Sequence, residues 1–211
     1  GEAMTRRGSL FYAQLAFALV VCAFLIVPVV LSMLAGLTVN YQTGLASGLT
    51  LRWVIEVWNG YRDTMLLSIG LALACLAVTL LLGIPAAYVL ARRQSRLTRF
   101  IEELLVMPVA IPGLATALAL IVTYGGVAGF RTSWLFILVG HVLFTLPFMV
   151  RSVLAVMLAI DLKTLEEGAA SLGAGFQRRF FDIILPNCRS GIVAGSLMVL
   201  TLSIGEFNMT W

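Results

Sequence analysis

Only a few side chains in this sequence have the type and placement needed for chemistry. His141 is the single histidine of the 211-residue chain, and no second histidine or nearby acidic residue accompanies it, so a metal site is not expected. The sequence contains no nucleophile paired with a base, no carboxylate pair and no Walker A phosphate-binding pattern. The chain is therefore predicted not to be an enzyme and to carry no cofactor.

Glu206 is the most unusual polar residue, because it follows a long apolar stretch. It stands 17 residues beyond Arg189, which is about 25 Å along a helix, and a carboxylate at that depth is costly in a membrane. Glu206 is predicted either to line a substrate path or gate suited to a cationic ligand, or to end a helix at the interface. His141 and Pro112 are weaker pathway candidates, since a packed core histidine and a simple packing kink are the alternatives.

The elements that must position these residues are membrane helices. The chain is 61% hydrophobic and only 11% charged, whereas soluble domains carry about 25% charged residues. A spanning helix needs about 20 mostly apolar residues, and five segments qualify: residues 10–37, 64–91, 104–124, 134–160 and 187–206. The predicted fold class is an all-α polytopic membrane helix bundle.

The positive charges predict the orientation of these helices. An N-terminus inside the cell puts eleven cations on the cytoplasmic side and three outside, in agreement with the positive-inside rule. Nucleic acid is not an expected partner, because the basic residues do not alternate with aromatic ones. The predicted organisation is a cytoplasmic tail at residues 1–9 (1–3 being vector-derived residues before Met4), a first transmembrane helix at 10–37, a periplasmic loop at 38–62 and a membrane domain at 63–211.

The loop between the fourth and fifth spans differs from the others. Thr164 followed by Glu167 fits a capping box at a helix start, and Gly173 is predicted to end that helix. Leu165, Ala169 and Leu172 are predicted to form its apolar stripe. A second amphipathic helix is expected to place its apolar residues together, which are Phe176, Phe180, Ile183 and Ile184.

The same loop carries a long motif without gaps. Glu167, Ala169 and Gly173, then nine residues, then Ile183-x-Leu185-Pro186 resemble the EAA loop of bacterial ABC importer permeases, E-A-A-x-x-x-G, nine residues, I-x-L-P. Gly168 replaces the first alanine of the motif, and both residues are small. Shorter patterns, Pro108-x-x-x-Pro112-Gly113 among them, are similar to the type I permeases for polyamines, aminoethylphosphonate, ferric iron, sulfate or thiamine.

The resemblance implies a type I ABC importer transmembrane domain with about five of six expected spans present, which suggests a fragment. Its loop would be a coupling helix that docks into a cytoplasmic ATPase, where ATP is hydrolysed. The docking positions would be Glu167, Gly168, Ala169 and Gly173, with Leu185 and Pro186 leading into the fifth span. The implied partners are ATP-binding-cassette ATPase subunits, a second permease subunit (the same chain or a homologous one), a periplasmic substrate-binding protein and the lipid bilayer of the inner membrane.

The transported substrate is not determined by these motifs. Glu206 and the overall resemblance favour a polyamine or an aminoalkylphosphonate. The competing hypothesis is a secondary transporter or channel subunit without an ATPase partner, but such carriers place ionisable residues near the membrane midplane. The first four spans contain almost none.

Overall fold

A computed structural model describes residues 2–93, 95–111, 113–127, 129–130 and 133–206, with side chains from residue 10 onward. The described residues form helices joined by short turns, and the only β-type pairing among them is an isolated bridge between Thr38 and Leu49. The predicted all-α fold class is confirmed. The chain divides into two compact units, Gly1–Thr64 and Met65–Trp211, and the division falls within a long helix.

The first unit contains α1 (Glu2–Gly36), a 3-10 turn (Gly44–Ser47) and the beginning of α2 (Arg52–Arg92). The spanning part of α1, Leu10–Gly36, has none of its most apolar window buried, as expected of a helix that faces lipid. The loop after it is closed by the indole of Trp53, whose Nε1 donates a hydrogen bond to the Thr38 carbonyl oxygen at 3.0 Å.

The start of α2 corrects the predicted loop boundary. Residues 38–62 were expected to form one loop, but α2 begins at Arg52, where the backbone N–H of Arg52 is bound by the Thr50 hydroxyl at 3.1 Å. The first part of the helix, residues 52–64, mixes apolar with charged residues and contains no proline that would interrupt it. The 41 residues of α2 are roughly twice the about 20 that a spanning helix needs.

The second unit contains the remaining helices. They are α3 (Arg96–Ala110), α4 (Gly113–Tyr124), α5 (Trp134–Ala159), α6 (Leu162–Ser171), α7 (Phe176–Asn187) and α8 (Arg189–Gly205). In the described part of the chain, three helices are long and apolar enough to cross a membrane, and the number rises to five if α3 with α4 and α7 with α8 each count as one bent span. The five predicted spans agree with that upper count.

The predicted third span is not a straight helix. The axes of α3 and α4 differ by 101°, and Ile111, with extended backbone angles, ends α3. Pro108 lies three residues before this end, and its carbonyl oxygen accepts the Ile111 N–H at 3.4 Å. α3 continues past Pro108 to Ala110, and Ile111 stands directly before Pro112 in the sequence. Because the residue before a proline disfavours helical backbone angles, the helix ends there.

The centre of the second unit is the contact between α5 and α8. The buried residues of α8 recur at every fourth position, at Gly191, Gly195, Val199 and Ser203. A Cβ at Gly191 would lie 2.7 Å from the Ser152 carbonyl oxygen, so only glycine permits this approach. Small residues spaced by four allow the backbones of membrane helices to pack closely. The sequence reading did not identify this pair of glycines.

Candidate functional site

The helix that carries the EAA-like motif is α6, and its start differs from the prediction. Asp161 occupies the N-cap position with left-handed backbone angles (φ 44°), and α6 begins at the next residue. Thr164 therefore lies inside the helix, and its Oγ1 donates a hydrogen bond to Asp161 Oδ2 at 2.7 Å. The predicted capping box of Thr164 and Glu167 is wrong, because the chain enters the helix three residues earlier than the threonine.

The end of α6 agrees with the prediction. Gly173 has φ 82°, a left-handed conformation that glycine adopts without steric cost. Its N–H binds the Ala170 carbonyl at 3.0 Å, and the N–H of Ala174 binds the Ala169 carbonyl at 3.0 Å. These two bonds form a Schellman motif, so Gly173 is confirmed as the residue that stops the helix.

The inward face of α6 contains Leu162, Glu166 and Ala169, all of which are buried. The predicted apolar stripe is only partly correct: Leu165 is half-buried, and Leu172 is 88% exposed. Leu172 follows the last helical residue and points away from the rest of the unit. A carboxylate, Glu166, takes the central position of the buried face instead.

Glu166 connects α6 to the end of α2. Its Oε1 accepts a short hydrogen bond from the Tyr88 hydroxyl, and its Oε2 lies 3.4 Å from Arg92 Nε. Arg92 Nη1 also donates to the Tyr88 hydroxyl oxygen at 3.0 Å, which closes the triangle. Glu166 is only 4% exposed, and a carboxylate at such a site requires partners of this kind. We call Tyr88, Arg92 and Glu166 the α2–α6 triad.

Aromatic rings of α7 pack against this triad. The Tyr88 ring lies 5.4 Å from that of Phe180 in an edge-to-face arrangement and 6.1 Å from that of Phe176. Phe176 and Phe180 are themselves stacked at 6.0 Å, and the Arg92 guanidinium lies 5.9 Å from the centre of the Tyr88 ring. Tyr88 of α2 therefore contacts both of the predicted amphipathic helices.

The outward face of α6 has a different character. Glu167 is well exposed and lies 3.8 Å from Lys163, one turn earlier in the helix. A Cβ added at Gly168 would meet no atom within 4 Å. With the exposed Leu172, these residues form a low surface that combines small, charged and apolar groups. We call Glu167, Gly168 and Leu172 the outer surface of α6.

The remaining motif residues lie in α7. Arg179–Ile184 form a π-helical turn directly before Leu185 and Pro186, and such a widened turn accommodates a helix that cannot make its regular hydrogen bonds at the proline. Ile184 and Cys188 are fully buried. α7 meets α8 at an angle of 69°, so the motif ends where the chain turns into the last described helix.

A second polar group lies at the other end of α8. His141 Nδ1 lies 2.8 Å from Ser203 Oγ, and Cys75 Sγ lies 3.2 Å from Thr145 Oγ1. A cavity of about 200 Å³ is lined by His141, Ser203 and Glu206, among other residues. The structure thus brings two of the three predicted pathway residues together, and the third, Pro112, lies outside the described residues.

The predicted docking positions do not share one face. Glu167 and Gly168 face outward, whereas Ala169 is 8% exposed and packs inward. Sequence reasoning missed Glu166, although one signal was available. Leu162, Glu166 and Ala169 are spaced by four and three residues, so Glu166 belongs to the same helical face as two apolar residues.

Comparison with known proteins identifies relatives of this chain. It is 30% identical to the molybdenum transport system permease protein ModB of Escherichia coli K12 over 70% of this chain and 69% of that protein. It is 29% identical to ModB of Mycobacterium tuberculosis over 75% of this chain and 64% of the relative. It is 31% identical to the molybdate/tungstate transport system permease protein WtpB of Pyrococcus abyssi over 71% of this chain and 58% of the relative.

None of these three names refers to a polyamine or an aminoalkylphosphonate, so the cationic substrate prediction finds no support in them. The chain spans about three fifths of the length of the M. tuberculosis and P. abyssi relatives. The matching family covers residues 79–210, which include α6, α7 and α8. The resemblance to type I ABC importer permeases is confirmed, and the chain belongs to the family of binding-protein-dependent transport system inner membrane components.

Proposed function

We propose that this chain is the permease subunit of an ATP-driven importer for molybdate, tungstate or a tetrahedral oxyanion of the same kind. Its α6 would be the coupling helix that docks into a cytoplasmic ATPase subunit. The observation that carries this proposal is the outer surface of α6, which combines the EAA-like motif with open space at Gly168 and an 88% exposed Leu172. Gly168 and Leu172 are four positions apart, so they lie on the same side of the helix as neighbours.

The proposed orientation places α6 in the cytoplasm of a bacterial inner membrane. It rests on the eleven-to-three distribution of cations, with the N-terminus inside. Under the same proposal, a periplasmic binding protein delivers the substrate, and a second permease subunit completes the pathway. ATP hydrolysis belongs to the partner ATPase, since this sequence has no Walker A pattern.

The oxyanion replaces the cationic substrate first expected. The relatives' names supply this substrate class, and the cavity beside Ser203 offers hydroxyl and imidazole groups, which can hydrogen-bond to oxyanion oxygens. Glu206 would repel an anion at close range. We therefore assign Glu206 and His141, and Pro112 with them, to the gate of the pathway rather than to a tight substrate site.

The direct test is reconstitution of the whole complex. The chain is co-expressed with the ATPase and binding protein of the same organism, purified through a tag on the permease, and placed in proteoliposomes. We expect the ATPase to co-purify, and we expect molybdate uptake, measured by elemental mass spectrometry, to require both ATP and binding protein. Uptake of molybdate without ATP would support the secondary-transporter hypothesis instead. Uptake of spermidine but not molybdate would overturn the substrate assignment.

Docking through the outer surface of α6 is tested by one substitution and a control. Gly168→Trp adds a large side chain where the permease itself has free space, so the fold should be retained while ATPase association is lost. Gly70→Trp adds the same bulk at another open helical position and should leave association unchanged. Ala169→Trp is unsuitable for this test, because Ala169 is buried. Normal co-purification of the ATPase with Gly168→Trp would refute the docking surface.

A further inference from the structure

The α2–α6 triad lies on the opposite face of α6 from the proposed docking surface. We propose that Tyr88, Arg92 and Glu166 are positioning residues that transmit movement of the docked α6 to α2, so that ATP hydrolysis is coupled to opening of the pathway. This inference rests on the proposed function, because it assigns a mechanical role to contacts of the same coupling helix. Glu166 is not part of the EAA-like motif, which begins at the neighbouring Glu167, and the Glu167 side chain faces outward.

The geometry of the triad favours a firm connection over a sliding one. Both carboxylate oxygens of Glu166 are engaged, Oε1 by the Tyr88 hydroxyl and Oε2 by Arg92 at 3.4 Å. The third side of the triangle, from Arg92 to the tyrosine hydroxyl, is 3.0 Å. Charge-assisted hydrogen bonds are directional and stronger than neutral ones. Each carboxylate oxygen of Glu166 thus has a partner in the last turns of α2.

Polar bonds can also resist separation of the two helices. A spanning helix must be displaced in both directions during a transport cycle. Packed side chains transmit a push, but a pull is transmitted only by contacts whose rupture is costly. Rupture here would leave a carboxylate that is 4% exposed without partners, and an unpaired buried charge is strongly unfavourable.

The surroundings of the triad allow such movement without loss of the contact. A cavity of about 480 Å³ adjoins α6 and is lined by Arg92, Lys163, Glu166 and Arg179, among other residues. Tyr88 is held on its other side by Phe176 and Phe180 of α7. Displacement of α6 therefore has free space on one side, while the aromatic contacts keep the tyrosine in place.

The experiment uses the reconstituted complex with Tyr88→Phe and Glu166→Gln. Substrate transported per ATP hydrolysed is measured in proteoliposomes, because this ratio is independent of how much complex assembles. We expect the ratio to fall at least about threefold in each variant. The double variant should fall no further than the lower single one, since both substitutions remove the same contact. Glu103→Gln, at an exposed position of α3, and Tyr61→Phe, at an exposed position of α2, serve as matched controls and should keep the wild-type ratio.

The outcomes separate this inference from the proposed function. If the wild-type complex does not assemble or does not transport, the proposed function is wrong. If it transports and both triad variants keep its ratio, the coupling role is wrong and the triad only stabilises the fold. Strictly additive losses in the double variant would also overturn the inference, because they would mean that Tyr88 and Glu166 act through separate contacts.

Discussion

Two contacts within the second unit are built on opposite principles. Between α5 and α8, glycines at 191 and 195 leave room for the backbone of the other helix. Between α2 and α6, the buried Glu166 is bound by a tyrosine and an arginine. The contact between α5 and α8 requires that two residues of α8 have no side chain. The contact between α2 and α6 requires polar side chains that bind one another. Added bulk should therefore damage the first contact, and removal of a group should damage the second.

The largest effect is expected when bulk is added at Gly191. A Cβ there would lie 2.7 Å from the Ser152 carbonyl oxygen and 3.2 Å from the Val153 Cα, so backbone must move. Gly191→Val should lower the free energy of unfolding by about 3 kcal/mol, measured by denaturant titration in detergent micelles. Gly70→Val, at a position with no atom within 4 Å, is the control. Equal stability of the two variants would show that α8 does not need this close approach.

Removal of the central group of the triad should have the next largest effect. Glu166→Ala leaves the Tyr88 hydroxyl and Arg92 without their shared acceptor. Because Arg92 is half-exposed and regains water, we expect a loss of about 2 kcal/mol, below the about 3–5 kcal/mol of a fully buried pair. Thermal unfolding measures it, with Glu103→Ala expected to change stability by under about 0.5 kcal/mol. A loss no larger than that of the control would contradict the buried contact.

A smaller effect is expected at the second glycine of α8. A Cβ at Gly195 would lie 2.9 Å from Met149 Sδ and 3.3 Å from the Met149 Cα. The thioether end can move but the backbone cannot, so Gly195→Ala should cost about 1 kcal/mol. The comparison with Gly191 is informative because the two sites differ in whether a side chain or a backbone oxygen stands in the way. A larger loss in the free energy of unfolding than for Gly191→Val would contradict this explanation.

The smallest effect is expected when a polar group is removed from the glycine contact. Ser152 Oγ donates a hydrogen bond to the Gly191 carbonyl oxygen at 2.8 Å. Ser152→Ala removes the hydroxyl group and keeps the Cβ that packs at this contact. Interhelical hydrogen bonds in membranes average about 0.6 kcal/mol. We expect a loss of that order in the same denaturant titration. A loss as large as that of Glu166→Ala would mean that the two contacts do not differ in principle.

α2 and the third predicted span show that the ends and bends of a helix cannot be predicted from an apolar run alone. Hydropathy located both segments, yet α2 extends back to Arg52 and the third span is divided into α3 and α4. Hydropathy reports how many apolar residues are available, whereas the ends of a helix depend on local caps such as the Thr50 hydroxyl. Prolines indicate where a helix can bend, but the angle depends on what packs against it.

The sequence by itself determined that this is an all-helical membrane protein with an EAA-like loop and a glycine stop at Gly173. These features depend on composition, on local backbone preferences and on a gapless motif, all of which can be read along the chain. Only the tertiary structure decided that Glu166 faces inward and Glu167 outward. Adjacent residues of a helix differ by about 100° in direction, so the buried one is chosen by where Tyr88 and Arg92 lie, 78 and 74 positions earlier in the chain.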